Sequence, residues 1–121
     1  MSIFNIFSRS KKERKLNPES KWIVSINNEI IFLTDPNGNE VECSIEEIDK
    51  VIIETTDQGP FYPDVWWKII SNDKMLILPQ GATGEDELLD KIQNLPDFDN
   101  AKFIESMSCT SNKEFICWTK D

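Results

Sequence analysis

Between Lys21 and Leu78, apolar residues recur at every second position in short runs that are separated by turn-forming residues. In the first run, Trp22, Val24 and Ile26 occupy alternate positions. A period of two places such side chains on one face of a β-strand, because successive side chains point to opposite faces. The pattern predicts strands near residues 21–26, 30–34, 40–43, 51–56, 65–70 and 75–78, with a further strand or extended tail near 115–118.

Turn signals separate these runs. Asn27-Asn28 suits a two-residue hairpin, and Asp35-Pro36-Asn37-Gly38 is typical of a type I turn. After these turns we expect Val41 and Cys43 to face the core. Ser44-Ile45-Glu46-Glu47 matches a capping box and predicts about one helical turn.

Helical signals come after the strands. Thr83 is the expected N-cap of a helix with acidic residues in its first turn and an apolar stripe formed by Leu88, Leu89, Ile92 and Leu95. Pro96 ends this helix. Asp99 is the expected cap of a second short helix, whose inward residues are predicted to be Phe103, Ile104 and Met107.

This order of elements predicts the fold class. Strands followed by helices indicate an α+β fold, built on a mainly antiparallel β-sheet of about six or seven strands with one or two C-terminal helices. We expect a basic amphipathic arm over residues 1–18 and a single acidic α+β domain over residues 19–121. The chain of 121 residues is long enough for one domain with a substantial core.

Charge is distributed unevenly along the chain. The formal net charge is −9, from 22 acidic and 13 basic residues. Residues 1–15 carry five basic and one acidic side chain, whereas residues 16–121 carry eight basic and 21 acidic ones. Because nucleic acid requires a cationic surface, we expect no nucleic-acid partner. A basic protein partner is the natural complement of the acidic body.

The N-terminal arm combines apolar and basic residues. It predicts weak contact with an anionic membrane through residues 1–15, with Ile3, Phe4 and Phe7 in the headgroup region and Arg9, Lys11 and Lys12 on anionic lipid. The alternatives are a mobile terminus and a first turn docked on the protein's own sheet. No fully apolar run exceeds four residues, so neither a signal peptide nor a membrane span is expected and the predicted location is cytoplasmic.

Several kinds of chemistry are excluded or disfavoured. The chain has no histidine, which removes Ser-His-Asp and Cys-His nucleophile systems and His-liganded metal sites. Gly81-Ala82-Thr83-Gly84 opens a helix, but the acidic residues that follow would repel phosphate. Cys43, Cys109 and Cys117 are expected to be reduced, with Cys109 the most exposed. We expect no cofactor.

The loop at residues 57–64 is the strongest candidate for a binding surface. It joins two prolines to aromatic and acidic side chains, and the expected interaction patch consists of Asp57, Phe61, Tyr62, Asp64 and Trp66. Aromatic residues are enriched at protein-interface hot spots. Trp67, on the opposite strand face from Trp66, is expected in the core. A carboxylate-based enzyme using Asp57 or Asp64, with a divalent metal, is an open alternative.

Several motifs carry a resemblance to a known family. They are Thr55-Thr56-Asp57-Gln58-Gly59-Pro60-Phe61, Asp64-Val65-Trp66-Trp67, Leu78-Pro79-Gln80-Gly81-Ala82-Thr83-Gly84, Leu88-Leu89 and Leu95-Pro96-Asp97-Phe98-Asp99. The chain resembles a family of uncharacterised bacterial proteins, which implies a bacterial cytosolic protein and no functional residues. In outline it is also similar to pleckstrin-homology-like domains, in which a C-terminal helix lies across a bent antiparallel sheet.

These observations favour a small non-enzymatic protein-interaction module of the bacterial cytosol, with weak membrane association through its arm. An acidic inhibitor or immunity-type protein for a basic toxin or nuclease is a narrower alternative, because negative charge would steer association and mimic phosphate. The carboxylate-based enzyme is the other alternative.

Overall fold

In the described part of the chain, seven strands and two α-helices form in the order that the periodicity predicts. The computed structural model describes residues 18–57 and 65–120. The strands are β1 (Ile23–Asn27), β2 (Ile30–Thr34), β3 (Glu40–Ser44), β4 (Lys50–Thr55), β5 (Val65–Ser71), β6 (Lys74–Pro79) and β7 (Lys113–Thr119). The helices are α1 (Glu85–Gln93) and α2 (Asn100–Met107), with single 3-10 turns at Pro18–Lys21 and Ile45–Glu47.

The strands divide into two antiparallel sheets. The first has the order β1-β2-β3, and the second has the order β6-β5-β4-β7. In the second sheet, β7 returns from the far end of the chain to pair with β4, with a register shift between Val51 and Ile52. The predicted α+β class with antiparallel strands and C-terminal helices is confirmed.

The hairpin turns follow local backbone chemistry. The β1–β2 turn lies at Asn28 and Glu29, with φ of 53° and 63°, so the prediction of Asn27-Asn28 was one residue early. The next turn is confirmed, since the Gly38 N–H donates to the Asp35 carbonyl at 2.9 Å. The Asp35 carboxylate accepts hydrogen bonds from the side chain and the N–H of Asn39 and from the N–H of Asn37. These bonds lower the pKa of Asp35, and the side chain of Asn39 contributes most.

Both sheets and both helices contribute to one core. On β4 and β5, Val51, Ile53, Trp67 and Ile69 are buried, which confirms the predicted core position of Trp67. Val41 was predicted to face inward with Cys43, but it is 38% exposed because it lies near the open end of edge strand β3. Cys43 is buried as expected.

The start of α1 is tied to β1. Backbone bonds of 2.8 Å run from the Val24 N–H to the Thr83 carbonyl and from the Thr83 N–H to the Trp22 carbonyl. The predicted Thr83 cap is wrong, because Gly84 occupies the N-cap position at φ 89° and the Thr83 hydroxyl donates to the Ser20 carbonyl instead. The helical turn predicted after Ser44 forms over Ile45–Glu47 with Ser44 at its N-cap position, but the Ser44 side chain makes no cap hydrogen bond.

The second helix is capped as predicted but packs differently. The Asp99 carboxylate accepts from the Lys102 N–H at 3.0 Å. Phe103 packs on Trp67, with ring centroids 5.6 Å apart. Ile104 and Met107 were predicted to face inward, but they are 67% and 38% exposed, because so short a helix turns only a narrow stripe toward the sheet.

Part of the predicted arm and loop lies outside this description. The residues concerned are Ile3, Phe4, Phe7, Arg9, Lys11, Lys12, Phe61, Tyr62 and Asp64. Among the described residues, no helix is both long enough and apolar enough to cross a membrane.

Candidate protein-interaction face

Alternate residues of the second sheet point away from the core and form what we term the outer face. Cross-strand pairing arranges these residues in three rows, each crossing β6, β5, β4 and β7 in turn. The rows are Pro79–Trp66–Glu54–Glu114, Ile77–Lys68–Ile52–Ile116 and Met75–Ile70–Lys50–Thr119. Pro79, at the end of the first row, is buried. Trp67, the neighbour of Trp66 along β5, faces the opposite way and packs against Phe103 of α2.

Apolar side chains are concentrated in the row that begins with Ile77 and in the Met75 and Ile70 half of the row below it. Met75, Ile77 and Ile116 are 49%, 39% and 43% exposed, whereas Ile52 between them is 8% exposed. Single exposed apolar residues are ordinary on a protein surface, but neighbouring ones on one sheet face are typical of interaction sites. The outer face therefore has the composition of an interface.

A charged cluster lies at the centre of the outer face. The Lys68 ammonium is 2.9 Å from the Glu54 carboxylate and 3.1 Å from the Glu114 carboxylate. Hydrogen bonds to Glu54 and then Glu114 raise the pKa of Lys68, so this residue stays cationic at neutral pH. Because Glu54 and Glu114 pair directly across β4 and β7, Lys68 also separates two like charges.

An aromatic corner borders the outer face at the start of β5. Trp66 is half-buried and meets Trp22 edge-to-face, with ring centroids 5.9 Å apart and an interplanar angle of 87°. This geometry suits the quadrupoles of two aromatic rings. Trp66 is therefore neither a core residue nor a fully exposed one: its ring packs against Trp22 at the edge of the outer face.

The predicted interaction patch overlaps this face only in part. Trp66 lies on it, while Asp57 is exposed just beyond the end of β4, where its N–H donates to the Asn112 side chain. The apolar contribution of Met75, Ile77 and Ile116 was not anticipated. The sequence feature that could have predicted it is the four-residue apolar run Met75–Leu78, since a strand that is apolar at every position has two apolar faces.

The carboxylates and thiols considered as reactive groups do not form one cluster, and several of them have structural roles. Among the described residues, no group of three or more Cys, Asp or Glu side chains is placed to hold a metal ion. Asp99 serves as a helix cap, and Glu105 lies 3.8 Å from the Lys113 ammonium. The three cysteines are free thiols, with Cys43 and Cys117 buried and Cys109 half-buried.

The net negative charge of the described residues lies outside the outer face. Residues 18–57 and 65–120 contain eight basic and nineteen acidic side chains, a net charge of −11. The outer face carries two lysines and two glutamates, so its own net charge is zero. A neutral, partly apolar face within an acidic surface is the main asymmetry of the described surface.

Comparison with known proteins finds no match: no family model, curated protein or solved structure aligns with this chain. The resemblance to bacterial proteins and to pleckstrin-homology-like domains stays a prediction.

Proposed function

We propose that this protein is a non-enzymatic interaction module whose outer face binds a partner protein with an apolar surface bordered by basic residues. The observation that carries the proposal is the exposure of Met75, Ile77 and Ile116 on one sheet face. Burying each of these side chains would contribute on the order of 1 kcal/mol to association. Trp66 adds an aromatic wall at the edge, where such residues often act as anchors.

The size of the outer face fits the centre of an interface. Three rows across four strands cover roughly 350 Å², from strand and residue spacings of about 4.8 and 3.3 Å. A standard interface buries about 800 Å² on each partner. The outer face would therefore form the apolar centre, and the adjoining charged residues would form the rim.

Charge supports a basic partner. The described residues carry a net charge of −11, all of it outside the outer face. Such a field accelerates encounter with cationic proteins and disfavours acidic ones. An acidic inhibitor of a basic toxin or nuclease is the narrower form of this proposal. A bacterial cytosolic setting, with weak membrane contact through residues 1–15, belongs to the same proposal.

A matched set of variants tests this function. The wild-type chain, an Ile77→Glu/Ile116→Glu variant and an Ile104→Glu control are immobilised and used to isolate proteins from the source cells. Ile104 is 67% exposed on α2, so its replacement adds one negative charge outside the outer face, where the double variant adds two on it. Each protein retained by the wild type is then purified and titrated against all three chains by calorimetry.

The expected result is a basic partner that binds the wild type and the control equally. Its affinity for the double variant should be about a hundredfold weaker, because two apolar contacts are replaced by desolvated charges. High salt should slow its association. Equal affinity for the double variant, or the absence of any specifically retained protein, would overturn the proposal.

A further inference from the structure

Among the strands that the structure describes, edge strand β3 has β2 as its one hydrogen-bonded neighbour, so one side of its backbone faces away from the first sheet. The orientation of β2 follows from the β1–β2 hairpin, where Asn27 pairs with Ile30 across a two-residue turn. Such a closing pair exchanges both backbone hydrogen bonds, and bonded pairs then alternate along the strands. The backbone N–H and C=O groups of Ile30 and Phe32 are therefore hydrogen-bonded to β1, whereas those of Ile31 and Leu33 are hydrogen-bonded to β3.

The outward groups of β3 follow from this alternation. Cys43 and Val41 pair with Ile31 and Leu33, so their backbone groups point toward β2. The N–H and C=O groups of Glu40 and Glu42 must then point away from the sheet. A direct contact agrees with this assignment, since the Glu42 carbonyl accepts a 2.9 Å hydrogen bond from the Lys74 ammonium.

The outward donors of β3 are left without partners inside the described chain. No hydrogen bond to the backbone N–H of Glu40 or Glu42 is present within residues 18–57 and 65–120. Unpaired donors on a strand edge are the groups through which an additional strand binds.

A groove with a volume of about 570 Å³ runs along this same edge. Phe32, Leu33 and Val41 contribute apolar surface to it, and Glu40, Glu42 and Lys74 contribute its charged groups. Phe32 and Val41 are each 38% exposed. The groove thus combines backbone donors, apolar contacts, two carboxylates and the Lys74 ammonium at one strand edge.

We infer that β3 binds an extended segment of a partner protein in which basic and apolar residues alternate. A strand that lies beside β3 places successive side chains on opposite faces of the sheet. On the face that carries Glu40 and Glu42, its side chains meet carboxylates, which lysine or arginine complements. On the other face they meet Val41, which an apolar side chain complements.

A synthetic peptide of alternating lysine and valine, long enough to span β3, tests this inference on the full chain. Binding is measured by fluorescence anisotropy, and its position is mapped by ¹H–¹⁵N chemical-shift changes. The expected result is saturable binding, with the largest shifts at β3 and Phe32. A block peptide of the same composition, with the lysines first and the valines after, should bind more weakly because it cannot match both faces.

Two variants separate backbone pairing from charge attraction. Glu42→Pro removes an outward N–H while leaving the ladder to β2 intact, so peptide binding should be lost. Glu40→Gln/Glu42→Gln keeps both donors and should weaken binding about fivefold, the effect of two exposed charge pairs. Glu46→Gln/Glu47→Gln removes the same charge from the adjacent 3-10 turn and should leave the affinity unchanged.

Several outcomes would overturn the inference. They are equal binding of the alternating and block peptides, shifts away from β3, and undiminished binding by a folded Glu42→Pro variant. If β3 instead pairs with a second copy of this chain, the protein should be a dimer that Glu42→Pro dissociates, and the inference of a separate partner protein would be wrong. This inference is independent of the proposed function, because the Ile77→Glu/Ile116→Glu variant should bind the peptide normally.

Discussion

The indole N–H of Trp67 donates a 2.7 Å hydrogen bond to the carboxylate of Glu85, the first residue of α1. Trp67 is 1% exposed, so this bond satisfies a polar group inside the core. The other oxygen of Glu85 accepts from the Gly81 N–H at 2.9 Å. One side chain thus joins the centre of β5 to the segment that leads into α1.

Replacing Glu85 with Ala should destabilise the fold by about 2 kcal/mol, because the buried Trp67 N–H loses its acceptor. Glu85→Gln keeps an acceptor oxygen and should cost less. Urea unfolding followed by tryptophan fluorescence measures both free energies. Asp86→Ala, at the exposed next position, controls for the loss of one negative charge near the helix N-terminus. Equal effects of Glu85→Ala and Asp86→Ala would contradict this role.

Replacing Gly84 with Ala should be more damaging than the same change at Gly38. Both glycines have φ of 89°, which strains any L-residue at a cost of about 1 kcal/mol or more. At Gly84 the added Cβ would also overlap the Val24 carbonyl oxygen, whereas at Gly38 it would meet no atom within 4 Å. We expect an additional loss of about 2 kcal/mol at Gly84, measured by urea unfolding. Similar stability of the two variants would show that the α1–β1 contact relaxes without cost.

Removing the cation of Lys68 should expose repulsion between Glu54 and Glu114. Lys68→Met should lower the free energy of unfolding by about 1 kcal/mol at pH 7, because two carboxylates then face each other across paired strands. The deficit should shrink as the pH rises through the raised pKa of Lys68, since the wild-type chain then loses the cation as well. Thermal unfolding at several pH values measures this dependence.

Two further variants complete that test. Glu54→Gln/Lys68→Met should recover most of the stability at pH 7, because one of the two negative charges is removed. Lys102→Met, an exposed change on α2, should show no comparable pH dependence. A deficit that persists unchanged above the raised pKa of Lys68 would assign the role of Lys68 to packing rather than to charge.

Cys109 should react with iodoacetamide before Cys43 and Cys117. The hydroxyl of Ser111, 3.4 Å from the Cys109 sulfur, lowers the pKa of that thiol, whereas burial raises the pKa of Cys117 to about 11 and also raises that of Cys43. Since the thiolate is the nucleophile, labelling at pH 8 should start at Cys109, and the buried pair should react only in denaturant. Peptide mass mapping identifies the labelled residue.

The dependence on Ser111 provides the control for this prediction. Ser111→Ala should raise the pKa of Cys109 and slow its labelling at pH 8. Ser108→Ala removes a neighbouring hydroxyl that donates to the Glu105 carbonyl, so it should leave the rate unchanged. Faster labelling of Cys43 or Cys117 in the native protein would contradict the burial of these thiols.

Local sequence predicted most strands and one cap because the relevant forces act over a few residues. Alternation placed Val51 with Ile53, and Trp67 with Ile69, on shared strand faces that are buried, and Asp99 was identified as a cap. The cap at Thr83 failed because a tertiary contact decided it: the Thr83 backbone pairs with Trp22 and Val24, which shifts the N-cap to Gly84. Propensity alone carries no information about such a neighbour.

The candidate site was less predictable than the fold. Trp66, Lys68 and Ile70 share a strand face by alternation, but their neighbours Ile77 and Ile52 become adjacent only through strand pairing. Ile116 joins the same row through the pairing of β7 with β4, across more than sixty residues of chain. Long-range pairing of this kind leaves no local periodic signal.

The sequence by itself determined the strand-rich α+β class, the acidic body and the absence of histidine chemistry, since each follows from residue type and spacing. Only the tertiary structure decided that the strands divide into two sheets, that α2 covers the Trp67 side, and that the Ile77 and Ile116 side stays exposed. The physical reason is that a period of two defines two faces of a strand but does not specify which face another element covers. That choice depends on the packing of distant segments around one core.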